Sequence, residues 1–206
     1  MRCRNLLAAL SIMLFSCLAS AGGGPFGIDH RLNENDAGIF QRSTQKILLY
    51  SVVGIGVAGA LWEGGETRLG RTFWQSIDSG VIAGVIAEVM KVSFSRARPN
   101  HTDNPNKFFA GSSSRSFPSG EVAVISSIVT PFILEYRHDT PWVYALELLP
   151  IFDAIGRVKV RGHWQSDVLI GFALGTLAGY YAHSREQSII LNILPDGFMI
   201  GIRKRF

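Results

Sequence analysis

The chain has 206 residues, 47% of them hydrophobic and 17% charged, with a mean hydropathy of +0.21. That supplies enough apolar material for one compact domain with a substantial core, and enough to make contact with a membrane an open question. The formal net charge is +4, and no arginine-lysine stripe with interleaved aromatics accompanies it, so a nucleic-acid-binding footprint is excluded.

Residues 1–21 read as a signal peptide. Arg2 and Arg4 give a positive start, Leu6 to Leu18 is apolar, and Ala19-Ser20-Ala21 is an A-x-A cleavage site. An uncleaved membrane anchor and a lipoprotein with Cys17 as the lipidated residue are the competing readings, and Phe15 fits the second poorly. Both cysteines, Cys3 and Cys17, lie in this leader, so the remaining chain has no disulfide and no thiolate metal ligand.

Residues 22–45 read as a linker with an amphipathic segment over Asp36 to Lys46. A helical domain is expected over residues 46–186. Ile47 to Trp62 is uncharged but just short of the roughly 18 residues wanted for a confident membrane span. Phe73 to Val92 is a second helical pattern, interrupted by Asp78 and Glu88 and closed by Pro99, which pushes Arg98 out of the helical region. Asn100 to Arg115 is polar and reads as a loop. A third helix follows Pro118, a fourth covers Thr140 to Ile155 with Asp139 or Thr140 as cap, and a fifth follows His163 to about Ser184. Residues 187–206 read as a β-hairpin around Pro195-Asp196-Gly197. The expected fold is all-α, a bundle of about five to six core helices with that short C-terminal hairpin.

Three separated clusters carry the chemistry. Lys91 and Arg98-Pro99 bring two cations to one loop. Ser116-Phe117-Pro118-Ser119-Gly120-Glu121 opens the third helix, where Ser119 can cap and Gly120 lets an anion approach free backbone N–H groups. Arg157, His163 and Asp167 form the third. With a helical stretch there, Asp167 would hydrogen-bond one ring nitrogen of His163, fix its tautomer and leave the other to attack. Three cations at a helix N-terminus suit a phosphate better than a carboxylate.

Taken together, lysine, six residues, Arg-Pro, then Pro-Ser-Gly, then arginine, five residues, histidine, three residues and aspartate resemble the signature of the type 2 phosphatidic acid phosphatase superfamily. Bacterial non-specific acid phosphatases and vanadium haloperoxidases share it. The resemblance, which spans Lys91 to Asp167, implies phosphate held by Lys91, Arg98, Ser119, Gly120 and Arg157. It also implies His163 as the nucleophile forming a phosphohistidine, and Asp167 as its orienting partner.

Two positions depart from the pattern. Glu121 stands where the family has its general-acid histidine, and Gly156 where it has serine; the second change reads as minor. Losing a general acid costs about 10²–10⁴-fold in rate. Either Glu121 still protonates the leaving group, or it is ionised and binds part of the substrate while a good leaving group such as pyrophosphate makes the acid less necessary. His101 is a spare acid candidate, better read as an exposed loop residue. Arg96, Lys159 and Arg161 fall outside the matching positions and read as solvated or rim residues, Trp164 as core, and Glu88 as a brace for Lys91.

The function expected is hydrolysis of phosphate monoesters or pyrophosphates, with lipid phosphates favoured as substrates. No metal or cofactor is expected, nor a nucleic-acid partner, and protein partners are left open. The expected location is the bacterial periplasm, associated with or embedded in the inner membrane. A phosphotransferase using the same intermediate, vanadate-dependent halide oxidation, and an inactive phosphate- or lipid-binding relative marked by Glu121 are the alternatives.

Overall fold

In the computed structural model, which describes residues 23–185 and 188–190, the apolar periodicity resolves into five α-helices. They are α1 (Arg42–Glu63), α2 (Arg68–Phe94), α3 (Gly120–Tyr136), α4 (Leu148–Lys159) and α5 (Gln165–His183). Short 3-10 turns at Gly38–Phe40 and Pro141–Glu147 precede α1 and α4. Among the described residues there is no β-strand, only an isolated bridge between Gly23 and Asp29. The expected leader lies outside the described residues. So does most of the expected hairpin; Ile189 and Ile190, at its start, are helical, and their N–H groups donate to the carboxylate of Asp78 at 2.6 and 3.2 Å. Asp78, which breaks the apolar pattern of α2, is thus a buried anchor for the chain after α5.

The middle of the bundle is α3. Ten of its 17 residues are buried, and it packs mainly against α5 and α2, with α1 and α4 alongside. Its buried hydroxyls cost little, because Ser127 and Thr130 donate back to carbonyls of their own helix and Ser126 donates to Phe172 of α5. On α5, Gly171, Gly175 and Gly179 form a row facing α3. A Cβ at Gly175 would overlap the carbonyl oxygen of Ala123, and one at Gly179 would lie 2.5 Å from the Cβ of Thr130. Backbone therefore lies on backbone here. The start of each helix is pinned to the other by the Ser119 N–H donating to the Asp167 carbonyl at 2.9 Å.

Four boundaries differ from those read in the sequence. The first helix begins at Arg42, so the polar stretch before Ile47 belongs largely to α1. α2 stops at Phe94, well before Pro99, because Ser95 takes the left-handed conformation (φ 40°) and turns the chain inward. The segment beginning at Pro141 is 3-10 up to Glu147, and Thr140 makes no side-chain cap. α4 then runs on to Lys159 and so carries Arg157 in its last turn. By contrast, α5 starts at Gln165, after His163, as the sequence suggested.

Candidate active site

Each cluster reaches the same end of the bundle by a separate route. Lys91 sits in the last turn of α2, and its ammonium lies over the start of α3: a Cβ on Gly120 would come within 2.7 Å of its Nζ. Glu88 is 3.5 Å from the same Nζ, as the brace reading expected. Arg98 leaves the loop and donates to the carbonyls of Gly162 at 2.9 Å and Arg115 at 3.2 Å, which sets its guanidinium beside the residue preceding His163. Arg157 is buried, and a Cβ on Gly162 would lie 2.7 Å from its Nη2. Lys91, Arg98, Arg157, Ser119, Gly120 and Glu121 therefore converge with His163 and Asp167. His101 stays in the exposed loop.

The cations crowd one another. Burial, then the charges of Arg98 and Arg157, pulls the Lys91 ammonium below its ordinary range, and burial with neighbouring cations pulls Arg157 down to about 10. Two buried polar atoms in the cluster, Ser119 Oγ and Arg157 Nε, have no hydrogen-bond partner. Nor does a side-chain oxygen cap α3, whose first N–H groups lack intrahelical acceptors. Converging cations with the Ser119 hydroxyl and the Arg157 Nε–H left unpartnered suit a tetrahedral oxyanion, and the helix N-terminus adds its own positive end.

His163 is buried, and its Nδ1 lies 2.6 Å from the carbonyl oxygen of Ser116. A carbonyl only accepts, so Nδ1 carries the proton and Nε2 keeps its lone pair. The sequence suggested that Asp167 takes that hydrogen bond. Instead Asp167 Oδ2 is 3.6 Å from Nδ1, acting on the ring through its charge, because the same oxygen accepts from the Ser116 hydroxyl at 2.5 Å and the Trp164 N–H at 2.9 Å. Burial first, with Arg157 and Arg98 adding to it against the opposing pull of Asp167, drives the imidazole down to about 4. It is neutral at ordinary pH.

Glu121 takes part in a separate arrangement. Arg42, at the first position of α1, grips both of its carboxylate oxygens, Oε2 at 2.6 Å, and Arg157 Nη1 stands 4.0 Å from Oε2. Despite burial, Arg42 and Arg157 hold this carboxyl below its usual range. Gln45, one turn along α1, accepts from Arg42 and from Arg157, each at 3.3 Å. It fills the space that a side chain at position 156 would need: a Cβ on Gly156 would come within 2.8 Å of Gln45 Nε2. The two departures from the motif are therefore joined through Arg42 and Gln45.

Further residues were missed or misread in the sequence. Arg96, read as solvated or rim, is fully buried and paired with Asp29 at 2.6 Å and Asp167 at 2.5 Å. Asp153, one turn before Arg157 on α4, is fully buried with neither carboxylate oxygen bonded, and burial followed by the charge of Glu121 raises it to about 7. Arg42 had no signal beyond lying four residues before a polar-to-apolar transition. Lys159 and Arg161, also read as solvated or rim residues, instead hold the N-terminal segment: Lys159 lies over the Phe40 ring at 4.9 Å, and Arg161 donates to the Leu32 carbonyl at 2.7 Å. Trp164 is core, as expected.

The sequence profile of the PAP2 superfamily matches residues 75–189, which include every residue of the three clusters. The chain belongs to the PAP2 superfamily. Within it, a lipid A 1-phosphatase of Porphyromonas gingivalis is 28% identical over 186 residues, covering 87% of this chain and 39% of that protein. A lipid A 1-phosphatase of Rhizobium etli is 28% identical over 131 residues, 60% of this chain and 55% of the relative. An undecaprenyl-diphosphatase of Sulfolobus acidocaldarius is 30% identical over 112 residues, 53% of each chain. This PAP2 chain thus spans between 39% and 55% of the length of these curated relatives. No solved structure matches it.

Proposed function

We propose that this chain is a phosphatase that hydrolyses the phosphate monoester or diphosphate of a lipid through a phosphohistidine on His163, without a metal. The observation that carries the reading is the convergence of Lys91, Arg98, Arg157 and the unpartnered Ser119 Oγ on the N-terminus of α3, beside a neutral imidazole with a free Nε2. Nε2 attacks phosphorus in line, the N–P bond forms as the P–O bond to the leaving group breaks, and water later cleaves the N–P bond. The cations and helix amides stabilise charge on the equatorial oxygens. Asp167 stabilises the cationic ring of the intermediate.

Glu121 is ionised in this scheme. Its two-point pairing with Arg42 and its lowered pKa oppose a role as proton donor, and favour a substrate with a good leaving group. A diphosphate meets that need, and the Sulfolobus relative is by name an undecaprenyl-diphosphatase, whereas the lipid A 1-phosphatases are named for a lipid phosphate. Lipid as the carrier is supported by the outer faces of α1 and α2. Ile47, Tyr50, Ile55 and Leu61 on α1, and Val81, Val85, Val89 and Val92 on α2, are exposed. Among the described residues α1 is the one helix long and apolar enough to cross a bilayer, and only 17% of its apolar 18-residue stretch is buried. These faces lie against the bilayer, and the leader read over residues 1–21 puts the chemistry on the periplasmic side.

The test is phosphate release from p-nitrophenyl phosphate, a lipid monophosphate and a lipid diphosphate, with and without detergent, in wild type and His163→Ala. The expected result is release that is fastest from the lipid diphosphate, unchanged by EDTA and reduced at least about a thousandfold in the variant. No release from any of the three, or equal release by the variant, overturns the reading.

A further inference from the structure

We propose that Asp29, from the segment before α1, is a positioning residue for the reaction: by sharing Arg96 with Asp167, it leaves Asp167 enough negative charge to support His163. The inference rests on the phosphohistidine reading above. It also concerns a part of the chain, residues 23–35, that the sequence suggested was only a linker and that lies outside the family match.

The geometry is that of a buried carboxylate–guanidinium–carboxylate triad. Asp29, Arg96 and Asp167 are all fully buried. All five N–H groups of Arg96 are used. Nε and Nη2 donate to the Pro105 carbonyl at 3.0 and 2.6 Å, Nη2 also to Asp29 Oδ2 at 2.6 Å, and Nη1 to Ser166 Oγ at 2.8 Å and Asp167 Oδ1 at 2.5 Å. The Phe108 and Trp164 rings lie 4.8 and 5.5 Å from the guanidinium carbon. Asp29 is held as tightly from the other side. Its Oδ1 accepts from the Ser166 N–H at 2.7 Å, and Oδ2 from the Ser166 hydroxyl at 2.6 Å. The segment that carries it is clasped to α5 by Gln165, whose side chain bonds both the N–H and the carbonyl of His30 at 3.2 and 2.9 Å.

Charge decides what this arrangement does. Asp167 touches the reaction only through the imidazole ring, which gains a positive charge when Nε2 bonds to phosphorus. Its ability to stabilise that charge depends on how far its own is already neutralised. Arg96 alone would cancel it in a site shielded from water, where screening is weak. Asp29 takes up half of the guanidinium's pairing, so the triad keeps one net negative charge, and Asp167 is its member next to His163. Asp29 itself has no contact with the phosphate cradle. Its loss should therefore act on the rate and not on substrate binding.

The experiment compares wild type, His163→Ala, Asp29→Asn, Arg96→Met and the double variant Asp29→Asn/Arg96→Met, on the best substrate of the panel above. Each is assayed for kcat and KM and melted thermally. Asp29→Asn is expected to lower kcat by about tenfold to a hundredfold, the scale on which an outer-layer partner acts at other sites, with KM within about twofold. The double variant removes the guanidinium as well, so Asp167 recovers its charge: kcat is expected to return to within about tenfold of wild type even though the protein melts lower. An anchoring role predicts the opposite order, with kcat following melting temperature and the double variant no better than the singles. That order, or a kcat unchanged in Asp29→Asn, overturns the proposal. If Asp29→Asn alone does not fold, the double variant decides: kcat within about tenfold of wild type supports the proposal, and a loss beyond a hundredfold overturns it. Absence of turnover in wild type would instead sink the phosphatase reading, and so the two failures are told apart.

Discussion

A buried imidazole next to two guanidinium groups should be a poor base, and that suits His163 to the proposed role of nucleophile: it stays unprotonated without needing a base to remove a proton. The sign of the pH dependence follows. With the folded pKa near 4, Nε2 is free at neutral pH, and kcat/KM should hold constant down to about pH 5 and fall about tenfold per unit below pH 4. An acid limb centred near 6.5 would contradict this. The unfolded imidazole binds protons more readily than the folded one, so this residue makes stability fall as pH drops from about 6.5 to 4. Glu121→Gln is expected to keep turnover on a poor leaving group within about threefold; a loss of about 10²–10⁴-fold would restore the glutamic acid as proton donor. Asp153 works with the other sign. Its folded pKa near 7 lies above the unfolded value near 4, so it destabilises the fold increasingly as pH rises from about 4 to 7 and no further above that. Asp153→Asn should then melt at the same temperature as wild type near pH 4 and gain on it progressively up to about pH 7, by about 2–4 °C or more, measured by calorimetry. Lys91, Arg98, Arg157 and His163 were legible in the sequence because their spacing follows the family signature, which the match over residues 75–189 covers. Arg96 was not, since its burial depends on acceptors 67 and 71 residues away, on Asp29 and Asp167, that no local pattern announces.

At the level of elements, the site is positioned by how closely α5 lies on α3. The glycine row on α5 sets that distance, and the bond from the Ser119 N–H to the Asp167 carbonyl fixes the register of Ser119 and Gly120 against His163 and Asp167. Gly175→Ala would push the helices apart and is expected to cost about 1–3 kcal/mol in urea unfolding, with loss of activity at temperatures where the fold persists. No change in stability would mean that the helices are not in backbone contact. The apolar periodicity made the helices themselves legible, but not where they stop. α2 ends where Arg96 must turn inward to its carboxylates, a limit set by tertiary pairing of charge, whereas α5 begins with a local capping box in which Asp167 accepts from the Trp164 N–H. Gly156→Ser tests the link between the two motif departures. By displacing Gln45 it should loosen Arg42 from Arg157 and lower kcat/KM about tenfold, whereas an unchanged value would make Gln45 a bystander.

Across the whole molecule, polar chemistry is gathered at one end while apolar side chains face outward on α1 and α2, and Trp62 and Trp142 are 85% and 86% exposed. Exposed surface of that kind is costly in water and favourable in lipid. The protein is expected to sediment with phospholipid vesicles and to stay bound in high salt; recovery in the supernatant would leave those faces without a lipid role. Orientation at a bilayer would present a lipid-borne phosphate to Lys91, Arg98 and Arg157 while its acyl part stays in the membrane. The most direct check is on the covalent step. Enzyme mixed with a substrate carrying radioactive phosphate and quenched in alkali within one turnover should hold label on a single peptide, Gly162–Arg185, at His163. That label should be stable to alkali and lost in acid. No label on His163 in an enzyme that releases phosphate, or equal label in His163→Ala, would contradict the account.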